Sequence, residues 1–360
     1  MKIKKTTPQE DKYNVAPEWH QHQQAYMMWP ERTDNWREGA KPAQKVFSEV
    51  AAKISRYEPL TMLVSRQQYE HALHALPESV RVVEMSYNDA WMRDVGPTYL
   101  VNAQNNVRAV SWQFNAWGGL VDGLYFPWDQ DNLVSGKVSD LDRIDYYDAD
   151  FVLEGSAYQT DGEGTLIATE ESVLSEGRNG QVDQADVEAV FKRYLNVTKI
   201  IWLARGYFMD ETNGDVDNMV NFVRPGEVAL TWTEYQTDPM YEICHEALAT
   251  LEAATDASGR HFKIHRVQMP KPLLITKAES EGVDPVNGRL PRYEGDRLMA
   301  TYINCYLANG AVILPIFGDE HDQAAIDQYT KIFPDRKIEP VYARELLLGG
   351  GNIHSQSSGA

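Results

Sequence analysis

Three acidic residues and one serine stand at nearly regular intervals along this 360-residue chain. Asp94 and Glu154 are 60 residues apart, Glu154 and Asp215 are 61 apart, and Ser355 follows 140 residues later, which is two steps of 70. Carboxylates accept paired, charge-assisted hydrogen bonds from cationic nitrogen groups, and a serine becomes a nucleophile when a neighbouring base takes its proton. The spacing predicts that each residue occupies the same strand end of successive similar modules, so that all four side chains point into one central pocket.

Repeated units of a helix followed by a strand could position these side chains. Four stretches combine apolar residues at three- and four-residue spacing with a short strand rich in Val, Ile and Leu. They are PAQKVFSEVAAKISRYEPLTMLV from Pro42, DVEAVFKRYLNVTKIIWLA from Asp186, PMYEICHEALATLEAATDASGRHFKIHRV from Pro239 and DQAAIDQYTKIFPDRKIEPVY from Asp322. A fifth, weaker candidate begins near Trp128, and Asn309-Gly310 suits a tight hairpin turn. Repeats of this ββαβ kind predict an α/β protein made of similar modules.

The composition is that of a folded globular protein with a strong acidic excess. With 43% hydrophobic and 24% charged residues the chain can bury a sizeable core. No low-complexity tract or long linker divides it, so we expect a single domain over residues 1–360. The net charge of -19 opposes binding to nucleic acid and to anionic membranes and favours small cations. Most of this charge could also serve only to keep the protein soluble.

The termini and the cysteines bear on where the protein resides. The first residues, MKIKKTTPQEDKYN, contain no apolar run, so we expect neither a signal peptide nor a membrane anchor. No segment reaches the ~18 apolar residues that a spanning helix needs. Cys244 and Cys305 are the only cysteines, which gives no disulfide framework and fits a reducing compartment. We therefore expect a cytoplasmic protein with two ordinary buried thiols.

Four blocks of the sequence resemble those of the agmatine deiminases. They are NDAWMRDVGP (88–97), FNAWGGLVDGLYFPWD (114–129), FVLEG (151–155) and GGGNIH (349–354). The similarity runs in order from about Tyr13 to His354. It implies the pentein fold, a five-bladed ββαβ propeller with pseudo-fivefold symmetry. It also implies hydrolysis of agmatine to N-carbamoylputrescine and ammonia through a covalent cysteine intermediate, as part of putrescine and polyamine metabolism, with no cofactor or metal and in a homo-oligomer.

The same resemblance assigns binding functions to individual residues. Asp94 and Asp217 are expected to hold the guanidinium nitrogens, with Glu154 assisting. Trp91 and Trp117 could lie against the cation or its alkyl chain, although tryptophan in such positions is more often part of a core. Taken singly, Asp94 could form a structural salt bridge, Glu154 could be a turn residue and Asp217 could be a solvated loop acid. The joint match of type, order and spacing favours the binding function.

Three positions depart from the family pattern. Ser355 stands where the family has its nucleophilic cysteine, Asp215 where it has the acid/base histidine, and Gln159 where another histidine is usual. Serine is a far weaker nucleophile than a thiolate unless a base takes its proton. An aspartate with an unperturbed pKa of ~3.9 is ionised at neutral pH and cannot readily protonate ammonia. Raising its pKa far enough would end its use as a base.

Two functions therefore stay open. One is an active agmatine deiminase, which the overall resemblance implies. The other is a noncatalytic member that keeps the fold and the cation pocket and acts as a ligand-binding or regulatory subunit. The substitutions favour the second function for the chemistry, while the family resemblance favours the first. A remote third interpretation is a calcium site, because the four acidic residues named above offer oxygen ligands.

Overall fold

The computed structural model describes residues 1–359, and the chain divides into two compact units. The first unit contains Met1–His20, Asp94–Leu124 and Trp128–Arg266. The second contains Gln21–Arg93, Tyr125–Pro127 and the described part of Val267–Ala360. The expectation of a single domain stays a prediction. Within the described residues, no helix has the length and apolar character needed to cross a membrane.

Three β-sheets of the described chain belong mainly to the first unit. The largest has the strand order Lys2–Ile3, Tyr146–Val152, Val107–Gln113, Thr98–Val101 and Asn14–Val15. The second has the order Lys199–Leu203, Thr165–Thr169 and Tyr158–Thr160, and the third has Val220–Arg224, Glu227–Trp232 and Lys263–Gln268. In the first two sheets an antiparallel pair is extended by a parallel strand that returns after helical residues.

The helices of the first unit pack through a periodic apolar face. They are Gly119–Asp122, Val134–Leu141, Glu170–Val173, Glu176–Asn179, Gln184–Leu195 and Met240–Ala253, with 3-10 turns at Asp131–Leu133, Gly155–Ala157 and Val216–Asn218. In helix Gln184–Leu195 the sequence sets both ends. The helix begins at a capping box formed by Asp183 and Asp186 and ends at Asn196, whose backbone is in the left-handed region. Its buried residues Val187, Phe191 and Leu195 recur every four positions and join the core.

The second unit contains one four-stranded and one three-stranded sheet within the described residues. The first has the order Ser357–Gly359, Ala25–Met28, Leu60–Val64 and Val80–Glu84, and the second has Tyr306–Ala308, Ala311–Ile316 and Lys337–Tyr342. Ala308 pairs with Ala311 across Asn309-Gly310, so the predicted hairpin is confirmed. Strand Ser357–Gly359 pairs antiparallel with Ala25–Met28, which joins two segments that are far apart in the chain.

The helices of the second unit complete the predicted pattern. They are Lys41–Ile54, Tyr69–Ala75, Lys277–Ser280, Asp322–Ile332 and Arg344–Gly349, with 3-10 turns at Glu38–Ala40 and His354–Gln356 and a short helix Met92–Val95 where the division falls. All five predicted helix-and-strand stretches form a helix followed by a strand, including the weaker one, which gives Val134–Leu141 and Tyr146–Val152. The predicted α/β class is therefore confirmed. Cys244 and Cys305 are buried free thiols, also as predicted.

Candidate functional site

Asp94, Glu154, Asp215 and Asp217 form a buried cluster in the first unit, which we call the acidic group. Their exposed fractions are between 1% and 6%. Glu154 and Asp215 immediately precede the 3-10 turns Gly155–Ala157 and Val216–Asn218, and Asp217 lies within the second of these turns. The structure thus brings together acids from three distant parts of the sequence, and Asp217 is not the solvated loop acid that it could have been alone.

Arg178 is the cation of this cluster, and the sequence analysis missed it. Its Nε donates to Glu154 Oε1 at 3.2 Å, and its Nη2 lies 3.8 Å from Asp215 Oδ1. The side chain is 1% exposed. Burial by itself would lower the pKa of Arg178, but the charges of Glu154 and Asp215 outweigh it and raise the pKa above its ordinary value. The guanidinium therefore stays charged inside the protein.

Two of the acids bind their protons more tightly than exposed aspartates do. Burial raises the pKa of Asp94 to about 8, and the charges of Asp217 and Glu154 add to this effect, although the Ser156 N–H donates to Asp94 at 3.1 Å. Burial also raises the pKa of Asp215 well above its usual value, against the opposing charge of Arg178. At neutral pH the acidic group therefore carries fewer negative charges than its four carboxyls could supply.

The backbone that presents Asp215 depends on a close approach of two glycines. A Cβ on Gly206 would lie 2.1 Å from the carbonyl oxygen of Gly214, and Gly214 itself has a φ of +88°. The same carbonyl accepts a hydrogen bond from Thr169 Oγ1 at 2.6 Å. Ser172 Oγ donates to the Asp215 carboxyl. Hydrogen bonds thus hold both the backbone before Asp215 and its carboxyl.

Residues 349–355 form a buried glycine turn in the second unit, and Ser355 closes it. Ser355 is 6% exposed. Its Oγ accepts hydrogen bonds from Asn304 Nδ2 at 3.3 Å and from the backbone N–H of Asn352 at 3.4 Å. Two donors aimed at one atom stabilise negative charge there, whether the atom is oxygen or the sulfur of a cysteine. Asn304 lies 51 residues before Ser355, and no motif in the sequence pointed to it.

Trp91 forms one wall of the glycine turn. A Cβ on Gly351 would lie 2.5 Å from the Trp91 ring and 3.0 Å from Ser355 Cβ, so only glycine fits there. Trp91 donates from Nε1 to Asp89 Oδ2 at 2.8 Å and stacks on Trp36 with ring centroids 5.6 Å apart. The orientation of this indole is therefore fixed by a hydrogen bond and by a second ring.

Trp117 and Gln159 are buried in the first unit. Trp117 is 2% exposed and meets Phe114 edge to face, with ring centroids 5.1 Å apart. Gln159 is also 2% exposed and donates from Nε2 to Glu18 Oε1 at 3.2 Å. These are contacts of a packed interior. The contact of Trp91 and Trp117 with a ligand stays a prediction.

The calcium interpretation gains no support from the geometry. Among residues 1–359, no group of three or more His, Cys, Asp or Glu side chains is arranged to hold a metal ion. Within the acidic group, Arg178 already lies against Glu154 and Asp215, where a divalent cation would compete with it. The arrangement suits a ligand that is itself a hydrogen-bond donor.

Comparison with known proteins gives one consistent result. The family described as Porphyromonas-type peptidyl-arginine deiminase matches residues 14–359. The agmatine deiminase of Pseudomonas aeruginosa is 47% identical over 351 residues, which are 97% of this chain and 95% of that protein. A Listeria monocytogenes protein that carries the agmatine deiminase name is 55% identical over 97% of this chain and 96% of its own length. The structure of the agmatine deiminase of Enterococcus faecalis, 44% identical, matches with a TM-score of 0.97 over 99% of this chain and 98% of that one.

Proposed function

The chain belongs to the Porphyromonas-type peptidyl-arginine deiminase family and is agmatine deiminase-like, and we propose that it binds a guanidinium ligand but hydrolyses it far more slowly than an active deiminase. Agmatine is the proposed ligand because the relatives in Pseudomonas aeruginosa and Enterococcus faecalis are named for it. The proposal has two parts, retention of binding and loss of the reacting groups, and each part has its own support.

Retention of binding is supported by the acidic group. Asp94, Glu154 and Asp217 keep the residue types that the resemblance assigns to the guanidinium nitrogens, and all three are buried. A buried carboxylate makes a stronger hydrogen bond to a cation than an exposed one does. Arg178 already lies against Glu154 and Asp215. A ligand guanidinium would therefore bind chiefly through Asp94 and Asp217, the two acids to which the resemblance assigns its nitrogens.

Loss of hydrolysis is supported by one observation above all, the state of Asp215. Its carboxyl is buried, accepts a hydrogen bond from Ser172 and lies 3.8 Å from Arg178 Nη2. With its pKa raised, the carboxyl holds its proton at neutral pH and cannot accept one from a serine hydroxyl. Without that first transfer the serine is not activated for attack. In other hydrolases, removing a nucleophile or its base costs on the order of 10⁴ to 10⁶ in rate.

The alternative of an active deiminase also has a specific observation in its favour. Asn304 and the Asn352 N–H both donate to Ser355 Oγ, and such donors would stabilise an alkoxide during attack. They do not remove the proton, however. An active enzyme would therefore need a base that the resemblance does not assign.

One assay separates the two candidates. Purified protein is incubated with agmatine, N-carbamoylputrescine is quantified, and a Ser355→Ala variant reports any contaminating enzyme. We expect turnover at least ~10⁴-fold below that of an active deiminase, because nucleophile and acid/base act as a unit. Ordinary turnover that disappears in Ser355→Ala would refute the loss of hydrolysis.

Binding is tested on the same samples by calorimetry and thermal unfolding. Agmatine should stabilise the protein by about 2.7 kcal/mol at a ligand concentration ~100 times the dissociation constant. If millimolar agmatine and arginine both leave the melting temperature unchanged, the acids are relics that serve only the fold. In that case the binding part of the proposal fails even if the protein is inactive.

We also propose the remaining features that the resemblance implies. They are a five-bladed pentein arrangement in one domain, a homo-oligomer, a cytoplasmic location and a place in putrescine metabolism. The blades have some structural support, because the described residues form five separate sheets. Four of these contain an antiparallel pair extended by a parallel strand. Size-exclusion chromatography with light scattering tests the oligomer.

A further inference from the structure

Arg292 contacts several distant parts of the second unit from an irregular stretch of chain, residues 282–296. Its Nη1 donates to Asn35 Oδ1 at 2.7 Å and to the carbonyl of Leu348 at 3.0 Å. Its Nη2 donates to the carbonyl of Gly349 at 2.9 Å. A guanidinium is a planar fork with five donors, so one side chain can serve all three acceptors, whereas an ammonium cannot match this geometry.

The contact with Asn35 connects Arg292 to the stacked rings of Trp36 and Trp91. Asn35 donates from Nδ2 to Asp89 Oδ2 at 3.1 Å. Asp89 is 1% exposed and also accepts hydrogen bonds from Trp36 Nε1 at 2.9 Å and from Trp91 Nε1 at 2.8 Å. Arg292 is therefore one hydrogen-bonded residue away from the carboxylate that orients both rings.

The contacts with the two carbonyls lead to the glycine turn directly. Leu348 and Gly349 are the last residues of helix Arg344–Gly349, and their carbonyls lie where a helix needs outside donors. A Cβ on Gly349 would lie 2.0 Å from the Trp36 ring, just as a Cβ on Gly351 would meet Trp91. The two sets of contacts therefore converge on the backbone that ends at Ser355.

We propose that Arg292 is a positioning residue that couples segment 282–296 to the side chain at position 355. The segment is suited to this because a cavity of about 580 Å³ lies beside it, lined by Trp36, Leu348 and Gly349 as well as by the segment. With such a space beside it, the segment can shift without compressing a packed core. The hydrogen bonds of Arg292 carry such a shift to the glycine turn.

A purely structural Arg292 would have a different signature. It would lower the stability of the second unit without altering the chemistry of residue 355 once the protein is folded. The distinguishing measurement is therefore the reactivity of a thiol placed at position 355. This inference does not rest on the proposed function, because the thiol is probed without any guanidinium ligand.

The test compares variants in a Ser355→Cys background. The rate of alkylation by iodoacetamide is measured from pH 6 to pH 10, and the protein with Ser355 serves as the blank for the buried Cys244 and Cys305. Arg292→Lys is the test variant. Arg344→Lys is the matched control, because Arg344 also binds a carbonyl and a carboxylate, those of Leu274 and Glu279, in the same unit.

We expect Arg292→Lys to change both parts of the pH profile. The pH at which alkylation reaches half of its maximal rate should rise by roughly half a unit or more. The reason is that the donors from Asn304 and Asn352 are no longer held against the thiolate, which raises the pKa of the thiol. The plateau rate should rise about tenfold as the turn loosens, a size typical of coupling between residues in one hydrogen-bond network. Arg344→Lys should change neither.

Three outcomes would overturn the proposal. One is an Arg292→Lys profile equal to that of the Ser355→Cys parent, with only the melting temperature lowered. Another is the same change in Arg344→Lys. The third is strict additivity between Arg292→Lys and Asn35→Ala, because residues acting through one path are not additive. If Arg292→Lys folds poorly, Arg292→Gln is tested with amide exchange of residues 349–355, where unchanged protection also refutes the coupling.

Discussion

The acidic group of the first unit and the glycine turn of the second are both buried, but different forces hold them. The acidic group depends on charge, because Arg178 lies against Glu154 and Asp215 and burial raises the pKa of Asp94. The glycine turn depends on hydrogen bonds to its backbone and to Ser355 and on rings packed against a bare backbone. The stability that the acidic group contributes should therefore depend on pH and on each charge. The stability that the glycine turn contributes should depend on side-chain volume.

The largest expected effect comes from changing both regions at once. Ser355→Cys together with Asp215→His restores the two residue types that the family uses, and agmatine turnover should rise at least ~10⁴-fold above the parent. Each single change should recover little, because a thiol without its acid/base partner, or the reverse, leaves the reaction incomplete. Carbamoylputrescine formation measures the gain.

The control for this rescue is Ser355→Ala with Asp215→His, which must stay inactive. Mass spectrometry of the rescued protein with agmatine should detect a covalent adduct on the new thiol. A folded double variant with neither turnover nor adduct would show that the acidic group no longer orients a guanidinium. Restoring the two reacting residues would then not be enough to restore activity.

The second prediction tests the dependence of the acidic group on charge. Arg178→Met removes the cation while keeping most of the side-chain volume, and should lower the free energy of unfolding by about 3–5 kcal/mol because Glu154 is left buried without its partner. The matched control is Arg205→Met, whose ion pair with Glu246 is 43% exposed on both sides. That change should cost no more than ~1 kcal/mol. Urea unfolding of both variants gives the comparison, and equal losses would contradict it.

The third prediction tests the dependence of the glycine turn on volume. Gly351→Ala forces a Cβ against the Trp91 ring and should cost about 1–3 kcal/mol at any pH. Gly136→Ala is the control, because its Cβ would lie 3.4 Å from the nearest atom, within helix Val134–Leu141. There alanine should be neutral or stabilise by up to ~1 kcal/mol. A Gly351→Ala protein as stable as the parent would mean that the turn is loosely packed.

The smallest effect is the change in stability with each single pH unit. An acid whose pKa is raised on folding binds its proton more tightly in the folded state, so stability falls as pH rises from about 4, the unfolded value, to about 8, the folded value of Asp94. The slope should be about 1 kcal/mol per pH unit. Asp94→Asn should make the slope smaller and leave the part that Asp215 contributes, whereas Gly351→Ala should lower the curve without changing its slope. Parallel curves for parent and Asp94→Asn would contradict the assignment.

The sequence could predict the features that repeat. Helix and strand periodicity located Gln184–Leu195 and Asp322–Ile332 with the strands that follow, because their apolar residues recur at fixed spacing. The regular interval between Asp94, Glu154 and Asp215 likewise predicted that these acids come together. Such patterns are local or periodic, so they are visible in one chain.

The sequence could not predict contacts that depend on one residue being buried by others. Arg178 lies in EGRNG, a turn-like stretch in which an arginine is usually exposed, and only the folded structure places it against Glu154. Asn304 and Arg292 are similar cases, since their partners are distant in sequence and no spacing links them. Polar contacts between irregular segments follow no regular spacing in the sequence, so a single sequence does not reveal them.

The pairing of Ser357–Gly359 with Ala25–Met28 has a consequence for synthesis on the ribosome. The strand that is made first must wait, with one edge unpaired, until the much later strand emerges from the exit tunnel. Exposed edges of this kind attract other chains. The glycine turn lies immediately before this later strand, so a nascent chain that stalls before residue 357 leaves the turn without the sheet that anchors its far end.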